Sequence, residues 1–479
     1  MERILTTAQM READLVTIER LGVASEVLVE RAGSAVAKEI ITRFAGGRVL
    51  VCIGKGNNGE DGKVIAQLLS KRHGFNVLTV NVNNGIFKVF DNQFDIIVDC
   101  IFGTGLNKTV EGKFEKCINL INKSNAFVVS CDIPSGLNGD TGLAMGVAVK
   151  ANLTVAIQEL KLGHFINDGP DYCGEVVAKD IGISIWGEDY ITRITNSIAK
   201  KYFPVRNRNV NKGCFGKACI LGGSKSFPGS VLLSYNALTA LKMGLGYSNL
   251  AVPESLFNSL LTVSPECTMT ILKEKDGFID YCESSLEKLL KYDCIALGMG
   301  LGVSQAVYKT LCFLLEKYSG KLVLDADALN SLAKFGVDVL KNVKCKVVIT
   351  PHVLEFARLL NIDKEKVITN SISLAKSFAN EYNVVVLLKS ATSIITDGNH
   401  VVLNTTGCSG MAKGGSGDVL SGIMSGVLTR ADDFFEGVCV APYVFGLAGE
   451  IAQKEQNEYT ITASDIIKAL PKAIDKIRD

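Results

Sequence analysis

The chain lacks an excess of charge of either sign: Lys and Arg number 51 against 50 Asp and Glu, for a formal net charge of +1. Such a balance offers no field for a polyanion such as nucleic acid, nor for an anionic membrane surface, and points to a small-molecule partner. It also lacks any CxxC pair and any zinc-like cysteine spacing. Its 14 cysteines are scattered, many inside apolar runs at Cys52, Cys100, Cys131, Cys219 and Cys294. They read as small buried hydrophobes in a reducing compartment. The opening MERILTTAQMREADL is charged from its second residue and has no apolar run of signal length, and no later stretch reads as long enough to span a bilayer. A soluble, cytoplasmic protein is expected. No short-period repeat is present.

What the chain has is length and alternation. Its 479 residues exceed the usual size of one core, so two domains are expected. Strand-like runs at Arg48 to Ile53, Asn76 to Val82, Asp95 to Asp99, Ala126 to Cys131 and Leu153 to Ile157 alternate with helical periodicity, such as Ala32, Val36 and Ile40, or Lys63 to Lys71. Most of these runs are too continuously apolar for a one-sided sheet, which indicates a parallel sheet covered on both faces. After residue 189 the segment ITRITNSIAKKYFPVRNRNVNKG is polar, basic and broken by Pro204, and reads as a linker. The pattern then restarts with strands at Lys217 to Leu221, Asp293 to Leu297, Lys321 to Leu324, Lys346 to Ile349 and Val384 to Leu388. The expected fold is α/β, with two doubly wound three-layer α/β/α domains over residues 1–204 and 205–479.

Ligands of such folds sit beyond the carboxyl ends of the strands. In the first half three loops there carry polar signatures: Asn57-Asn58-Gly59-Glu60-Asp61-Gly62, Asp99 to Gly105, and Asp132-Ile133-Pro134-Ser135-Gly136. Singly each is ordinary turn chemistry. Together, oxygens of Asn58, Asp99 and Ser135 could converge on a hard monovalent cation while glycine amides receive a diphosphate. In the second half Gly407, Gly410, Gly414, Gly415 and Gly417 lead through Asp418 into the apolar run Val419 to Leu428. Such a segment can wrap N–H groups around a phosphate at a helix N-terminus, with Asp418 placed beside the anion. A glycine-rich turn before a packed helix is the plainer reading of the same residues.

The motifs GKGNNGEDGKVIAQLL, VDCIFGTGL and SCDIPSGLNGDTG resemble the YjeF N-terminal family of NAD(P)H-hydrate epimerases, which have a Rossmann-like fold. LGGSKSFPGS, LGMGLG, LVLDADALN, ITPHVLEFARLL, LLKSATSII and GMAKGGSGDVLSG resemble the ADP/ATP-dependent NAD(P)H-hydrate dehydratases of the ribokinase-like superfamily. Together these motifs span nearly the whole chain, in an order similar to that of fused bacterial repair enzymes. The resemblance implies a substrate, NADHX or NADPHX, made by hydration of a nicotinamide ring, with a hydroxyl on C6. One domain would interconvert the R and S forms and the other dehydrate the S form.

Position by position, the resemblance places substrate against Asn57, Asn58, Gly59, Glu60 and Asp61 and against Gly103, Thr104, Gly105, Leu106, Asn107, Lys108 and Thr109. Asp132 would stand beside the reacting ring, and potassium on Asn58, Asp99 and Ser135. Lys161, in ELKLGH, would be a proton donor, a phosphate contact or simply a solvated lysine. In the second half Ser230, Gly300, His352 and Asp418 would face the hydrate, with Asp132, Asp418 and His352 as the catalytic groups. Lys389, Ser390, Ala391, Thr392, Ser393 and Gly417 would contact the adenine nucleotide, ADP by analogy with fused bacterial enzymes and ATP as the alternative, with Mg2+ accompanying it. A packed or capping role is the other reading of His352, and helix capping that of Asp325 and Asp327. A homo-oligomer is expected from relatives.

Glu60 stands where the family has glycine, Arg31 where it has asparagine and Gln67 where arginine is common. Ser390 and Ser230 replace a glycine and an alanine. A carboxylate at Glu60 is tolerable beside a diphosphate only if it points to solvent. Two other readings stay open: a ribokinase-like small-molecule kinase with Asp418 as its base, and a dehydratase whose first domain is a non-catalytic binding module.

Overall fold

The computed structural model describes the chain except for residues 86, 92, 188–189, 239–242, 264–265 and 342. It forms two compact units, Arg3–Ile191 and Thr192–Asp479 together with Met1–Glu2. The boundary therefore falls at Ile191/Thr192 and not at 204/205. Residues read as linker belong by contact to the second unit: Ala199 and Phe203 are buried in its core, and Asn196 Nδ2 donates to the carbonyl of Ile477 at 3.2 Å.

The first unit contains helices α1 (Thr7–Glu19) and α2 (Ser25–Arg43), then β1 (Gly47–Ile53), α3 (Asn57–Ser70), β2 (Phe75–Asn81), β3 (Ile96–Cys100), α4 (Gly112–Lys123), β4 (Phe127–Cys131), β5 (Leu153–Ile157) and β6 (Glu175–Lys179). The six strands pair in parallel in the order β2-β1-β3-β4-β5-β6. Alternate residues of each strand point to opposite faces. Val49 and Val51 thus pack with Val36, Ile40, Ile65 and Leu69 of α2 and α3, while Leu50 and Cys52 pack on the other face with Ile118 and Ile121 of α4.

The expected loop from Asn57 to Gly62 is already helix: α3 begins at Asn57, six residues earlier than its apolar periodicity shows. Gly59 permits this, because a Cβ there would lie 2.4 Å from the Gly54 carbonyl. The edge strand β2 ends at Asn81, with Val82 opening a short 3₁₀ turn.

In the second unit the order is β7 (Lys217–Leu221), α5 (Pro228–Leu238), β8 (Tyr247–Pro253), β9 (Thr268–Leu272), β10 (Cys294–Leu297), α6 (Gln305–Lys317), β11 (Lys321–Leu324), α7 (Ala326–Phe335), β12 (Lys346–Ile349), α8 (Val353–Leu360), α9 (Ser371–Tyr382), β13 (Val385–Leu388), β14 (Ser393–Thr396), β15 (Val401–Asn404), α10 (Ser416–Arg430), α11 (Phe434–Glu455) and α12 (Ala463–Arg478), besides shorter pieces. Strands β9-β8-β7-β10-β11-β12-β13 run parallel. β14 and β15 extend the sheet antiparallel. Helix α10 is buried on almost every side, its Ile423, Met424 and Val427 packing into the core with Val323, Val348 and Leu387.

Helix α11 corrects the expectation that no stretch is long enough to cross a membrane. By length and composition it is, but 61% of its apolar window is buried within the protein, and it packs against α10 and α12.

Candidate functional site

Each unit presents a polar site at the carboxyl ends of its strands. In the first, a cavity of about 770 Å³ opens at the N-terminus of α3 and is lined by Asn57, Asn58, Asp61, the whole run Gly103 to Thr109, Asp132 and Lys161. The first turn of a helix leaves N–H groups without intrahelical partners and carries a partial positive charge, so this end of the cavity suits an anion. Gly59 and Glu60 do not line it. Gly59 lies buried under Gly54, and the Glu60 carboxylate turns outward onto Lys63 Nζ at 2.7 Å, both side chains more than half exposed. The outward turn removes the repulsion that a carboxylate at this position would otherwise bring. Arg31 is used structurally, its Nη1 donating to the Ile181 carbonyl at 3.1 Å.

Asn58, Asp99 and Ser135 meet around the carbonyl of Phe102. Asn58 Nδ2 donates to that oxygen at 2.7 Å, and Ser135 Oγ donates to Asp99 Oδ1 at 2.5 Å while accepting from Phe102 N at 2.8 Å. Asp99 Oδ2 accepts from Ser135 N and Ser130 Oγ at 2.8 and 2.9 Å. Burial raises the Asp99 carboxyl above the usual range, with these hydrogen bonds opposing the shift. Asn58 Oδ1 is buried with no hydrogen-bond partner. A buried acceptor left open beside a carbonyl, a hydroxyl and one carboxylate is a donor set of hard oxygens, suited to a monovalent cation. Among the described residues no group of three or more His, Cys, Asp and Glu is placed to hold a metal.

Asp132 follows β4 with φ +67°, a conformation uncommon for a residue with a side chain and one that clusters at functional sites. Three contacts hold it there: Ile157 N donates to Oδ1 at 3.0 Å, His164 Nε2 meets its carbonyl at 2.9 Å, and Lys161 Nζ pairs with Oδ1. Lys161 is 1% exposed at its side chain, which excludes the solvated-lysine reading. Asp14 of α1 also lines this cavity. Burial raises its carboxyl to about 6, with Lys161 opposing.

In the second unit α10 starts beside the ends of β11, β12 and β13. Gly415, its N-cap, takes φ +89°, which glycine adopts without strain. Asp418 lies in the first turn, bonded to Ser230. Burial, then the charge of Asp325, raises its carboxyl to about 7. A side chain at Gly300 would meet Phe227 and, at 3.1 Å, Ser230, so Gly300, Ser230 and Asp418 converge. Lys389 Nζ pairs with Asp325 Oδ1 at 2.7 Å and lies 4.0 Å from Glu355. Its ammonium is held above the usual range because these carboxylates outweigh burial. A Cβ at Gly417 would stand 3.5 Å from Lys389 Nζ.

His352 caps α8, its Nδ1 accepting from Glu355 N at 3.2 Å, and its side chain is about half exposed. Burial, then Lys389, lowers its imidazole. Backbone pairing sets His352 beside Lys389. Ser390 donates to the Thr392 carbonyl and Ala391 is exposed. Thr392 is buried, and Ser393 is buried as the first residue of β14.

Asp325, which the sequence places at a strand end with helix capping as its plainer reading, is the partner of Lys389. It stands at the N-cap of α7 without making a side-chain cap bond; its second oxygen accepts from Ser421 Oγ at 2.7 Å. The available signal was its place at a strand end, the same place Asp132 and Asp99 occupy. Asp14, from a helix before the first sheet strand, gave no signal at all.

Comparison with known proteins matches each half of the chain to a family. A family model described as NAD(P)H-hydrate dehydratase matches residues 218–472, and one described as YjeF-related protein N-terminus matches 25–93 and 81–163. The bifunctional NAD(P)H-hydrate repair enzyme Nnr of Thermofilum pendens is 32% identical over all of this chain and 97% of its own length; that of Archaeoglobus fulgidus is 33% identical over 95% of each. Among solved structures, an ADP/ATP-dependent NAD(P)H-hydrate dehydratase from Bacillus subtilis, co-crystallised with ATP/Mg2+, superposes with a TM-score of 0.52 at 26% identity, covering 60% of this chain and 99% of that one. A ribokinase-like superfamily protein from Enterococcus faecalis shares the fold with a TM-score of 0.53 at 23% identity, over 62% of this chain and 99% of its own. With both halves matched in order and full-length relatives above 30% identity, the chain belongs to the family of bifunctional NAD(P)H-hydrate repair enzymes.

Proposed function

We propose that the chain repairs hydrated nicotinamide cofactors, the first unit interconverting the R and S forms of NAD(P)HX and the second dehydrating the S form to NAD(P)H in the presence of ADP. The observation that carries this reading is the duplication of one arrangement: a carboxylate, Asp132 or Asp418, beside a helix N-terminus at the strand ends of each unit. A kinase reading would leave the first cavity, and the ion pair inside it, without a task.

For dehydration the ring nitrogen of the hydrate expels the C6 hydroxyl and a proton leaves C5, so one acid and one base suffice. Asp418, raised to about 7, holds a proton near neutrality and gives it to the departing oxygen. His352, lowered toward the neutral imidazole, takes the C5 proton. Phosphates of the nucleotide rest on the amides of the turn that opens α10 and on Lys389. Magnesium would travel with those phosphates and offset their charge. The test is recovery of dihydronicotinamide absorbance from purified S and R hydrates with ADP, ATP or no nucleotide. Recovery from S alone, with R no faster than its spontaneous interconversion, would remove the epimerase half of the proposal.

Potassium fits the first site through Asn58 Oδ1, the Phe102 carbonyl, Ser135 Oγ and Asp99. There it would neutralise part of the substrate diphosphate and tie the loops after β3 and β4 to α3. Exchanging potassium for tetramethylammonium, whose methyl groups offer no bare charge to oxygen ligands, is expected to slow R-to-S interconversion at least tenfold while leaving dehydration of the S form untouched. Equal epimerisation rates in the two salts would dismiss the cation site. The protein is further expected to work as a homo-oligomer in the cytoplasm.

A further inference from the structure

The first cavity contains more acid–base chemistry than Asp132 alone. Four carboxylate residues line it: Asp14 from α1, Asp61 from α3, Asp132 from the end of β4 and, exposed to solvent, Glu111. They do not share the lysine equally. Lys161 Nζ is bonded to Asp132 Oδ1 and to the Ile157 carbonyl, the latter at 2.6 Å. Since Ile157 N also donates to Oδ1, these bonds fasten one oxygen of Asp132 and leave Oδ2 outside all of them. Asp61, 7% exposed, pairs with no cation among the described residues; the Cys131 thiol lies 4.0 Å from its Oδ2.

We propose that Asp61 is the general acid and Asp132, held in place by its pair with Lys161, the general base of the epimerisation. The proposal rests on the reading of the first unit as an NAD(P)HX epimerase. In the hydrate, C6 carries both the hydroxyl and the ring nitrogen. Asp132 Oδ2 removes the hydroxyl proton, the oxygen forms a C6 aldehyde, and the C6–N1 bond breaks with its electron pair going to nitrogen, which takes a proton from Asp61. Rotation about C5–C6 presents the other face of the aldehyde. N1 then adds to it, returning its proton to Asp61 while Asp132 returns one to the oxygen. No redox partner enters and both carboxyls end as they began.

The surroundings of Asp61 favour the protonated form that this role needs. Burial is the largest cause, followed by the charges of Asp132, Glu60 and Asp14, and together they raise its carboxyl to about 8. The thiols of Cys131 and Cys100 behind it are buried and shifted upward, so they add no negative charge. Lys161 is committed to Asp132, and acts as a positioning residue and not as a proton carrier. Assigning acid and base to two carboxyls whose environments differ in this way follows a general pattern of enzyme sites.

The test uses the full chain, with R-to-S interconversion followed across pH and dehydration of the S form by the second unit as an internal measure of intact protein. In the unaltered protein, epimerisation should fall as pH rises through about 8, where Asp61 loses its proton. Asp61→Asn keeps the shape but has no proton to give, so the rate should drop about 10²-fold and the alkaline fall should vanish. Lys161→Met should slow epimerisation, and Lys161→Arg, which keeps a cation against Asp132 Oδ1, should restore part of the rate, which a purely structural loss would not do. Epimerisation that stays level up to pH 9.5 in the unaltered protein, or Asp61→Asn retaining its rate and profile, overturns the assignment. If the unaltered protein fails to interconvert the two forms, it is the reading of the first unit that falls.

Discussion

Replacing Asp418 by asparagine is expected to lower dehydration of the S hydrate by about 10²–10⁴-fold, the usual cost of removing an acid–base group. Asparagine preserves the bond to Ser230 and the shape of the first turn of α10, yet cannot deliver a proton. In the unaltered protein dehydration should decline as pH rises through about 7, and the residual rate of the variant should lack that decline. ADP binding should be unchanged or slightly tighter, since a carboxylate near the phosphates is lost. The same variant should be more stable at neutral pH. A carboxyl raised from 3.8 to about 7 on folding contributes stability that is fully present below about 4 and lost as pH rises through 7. Asp418→Asn escapes that loss, so it should melt at a higher temperature at pH 8 and with little difference near pH 4. Near-normal turnover would take Asp418 out of the mechanism; lost ADP binding would show that it shapes the loop instead.

Lys389→Met should fail in two separable ways. Asp325 is 2% exposed and its Oδ1 takes Lys389 as its cation; removing the lysine leaves this buried carboxyl with the Ser421 hydroxyl at its second oxygen, and breaking a buried pair in this manner costs about 3–5 kcal/mol. Nucleotide affinity should fall as well, because the ammonium sits against Gly417 where the phosphates would rest. The double variant Lys389→Met, Asp325→Asn removes the unpaired charge. It should regain most of the melting temperature and none of the ADP affinity. Calorimetric titration beside thermal melts checks both. If the double variant binds ADP like the unaltered protein, Lys389 serves the fold alone.

Much of the site was legible because glycine and strand-end signals are local. Asn57, Asn58, Asp61, Gly103 to Gly105 and Asp132 stand out by their place after apolar strands, Leu106 to Thr109 by the family resemblance alone, and all of them line one cavity. Glu60 lies outside the cavity for a helical reason: the GNNGEDG segment opens α3, where Asn57, Asn58 and Asp61 share the cavity face while Glu60 points to solvent with Lys63. Asp325 looked like a helix cap because an aspartate before a helix usually is one. Strands β8, β9, β14 and β15 went unread, since β8 ends in proline and the others are short and mixed in character.

The α/β class, the doubling of the fold, the continuous apolar strands buried on both faces and the glycine-rich segments at their ends are all legible along the chain. Each of these follows from periodicity and backbone freedom, which are properties of neighbours along the chain. Which charges meet is set by folding, which brings together residues far apart along the chain. Lys161 is separated from Asp132 by 29 residues and Lys389 from Asp325 by 64. Asn58 joins Phe102, Ser135 and Asp99 across three strand ends. Whether a lysine is solvated or buried in an ion pair, and whether a carboxyl holds its proton at neutral pH, depends on what the fold stacks against it.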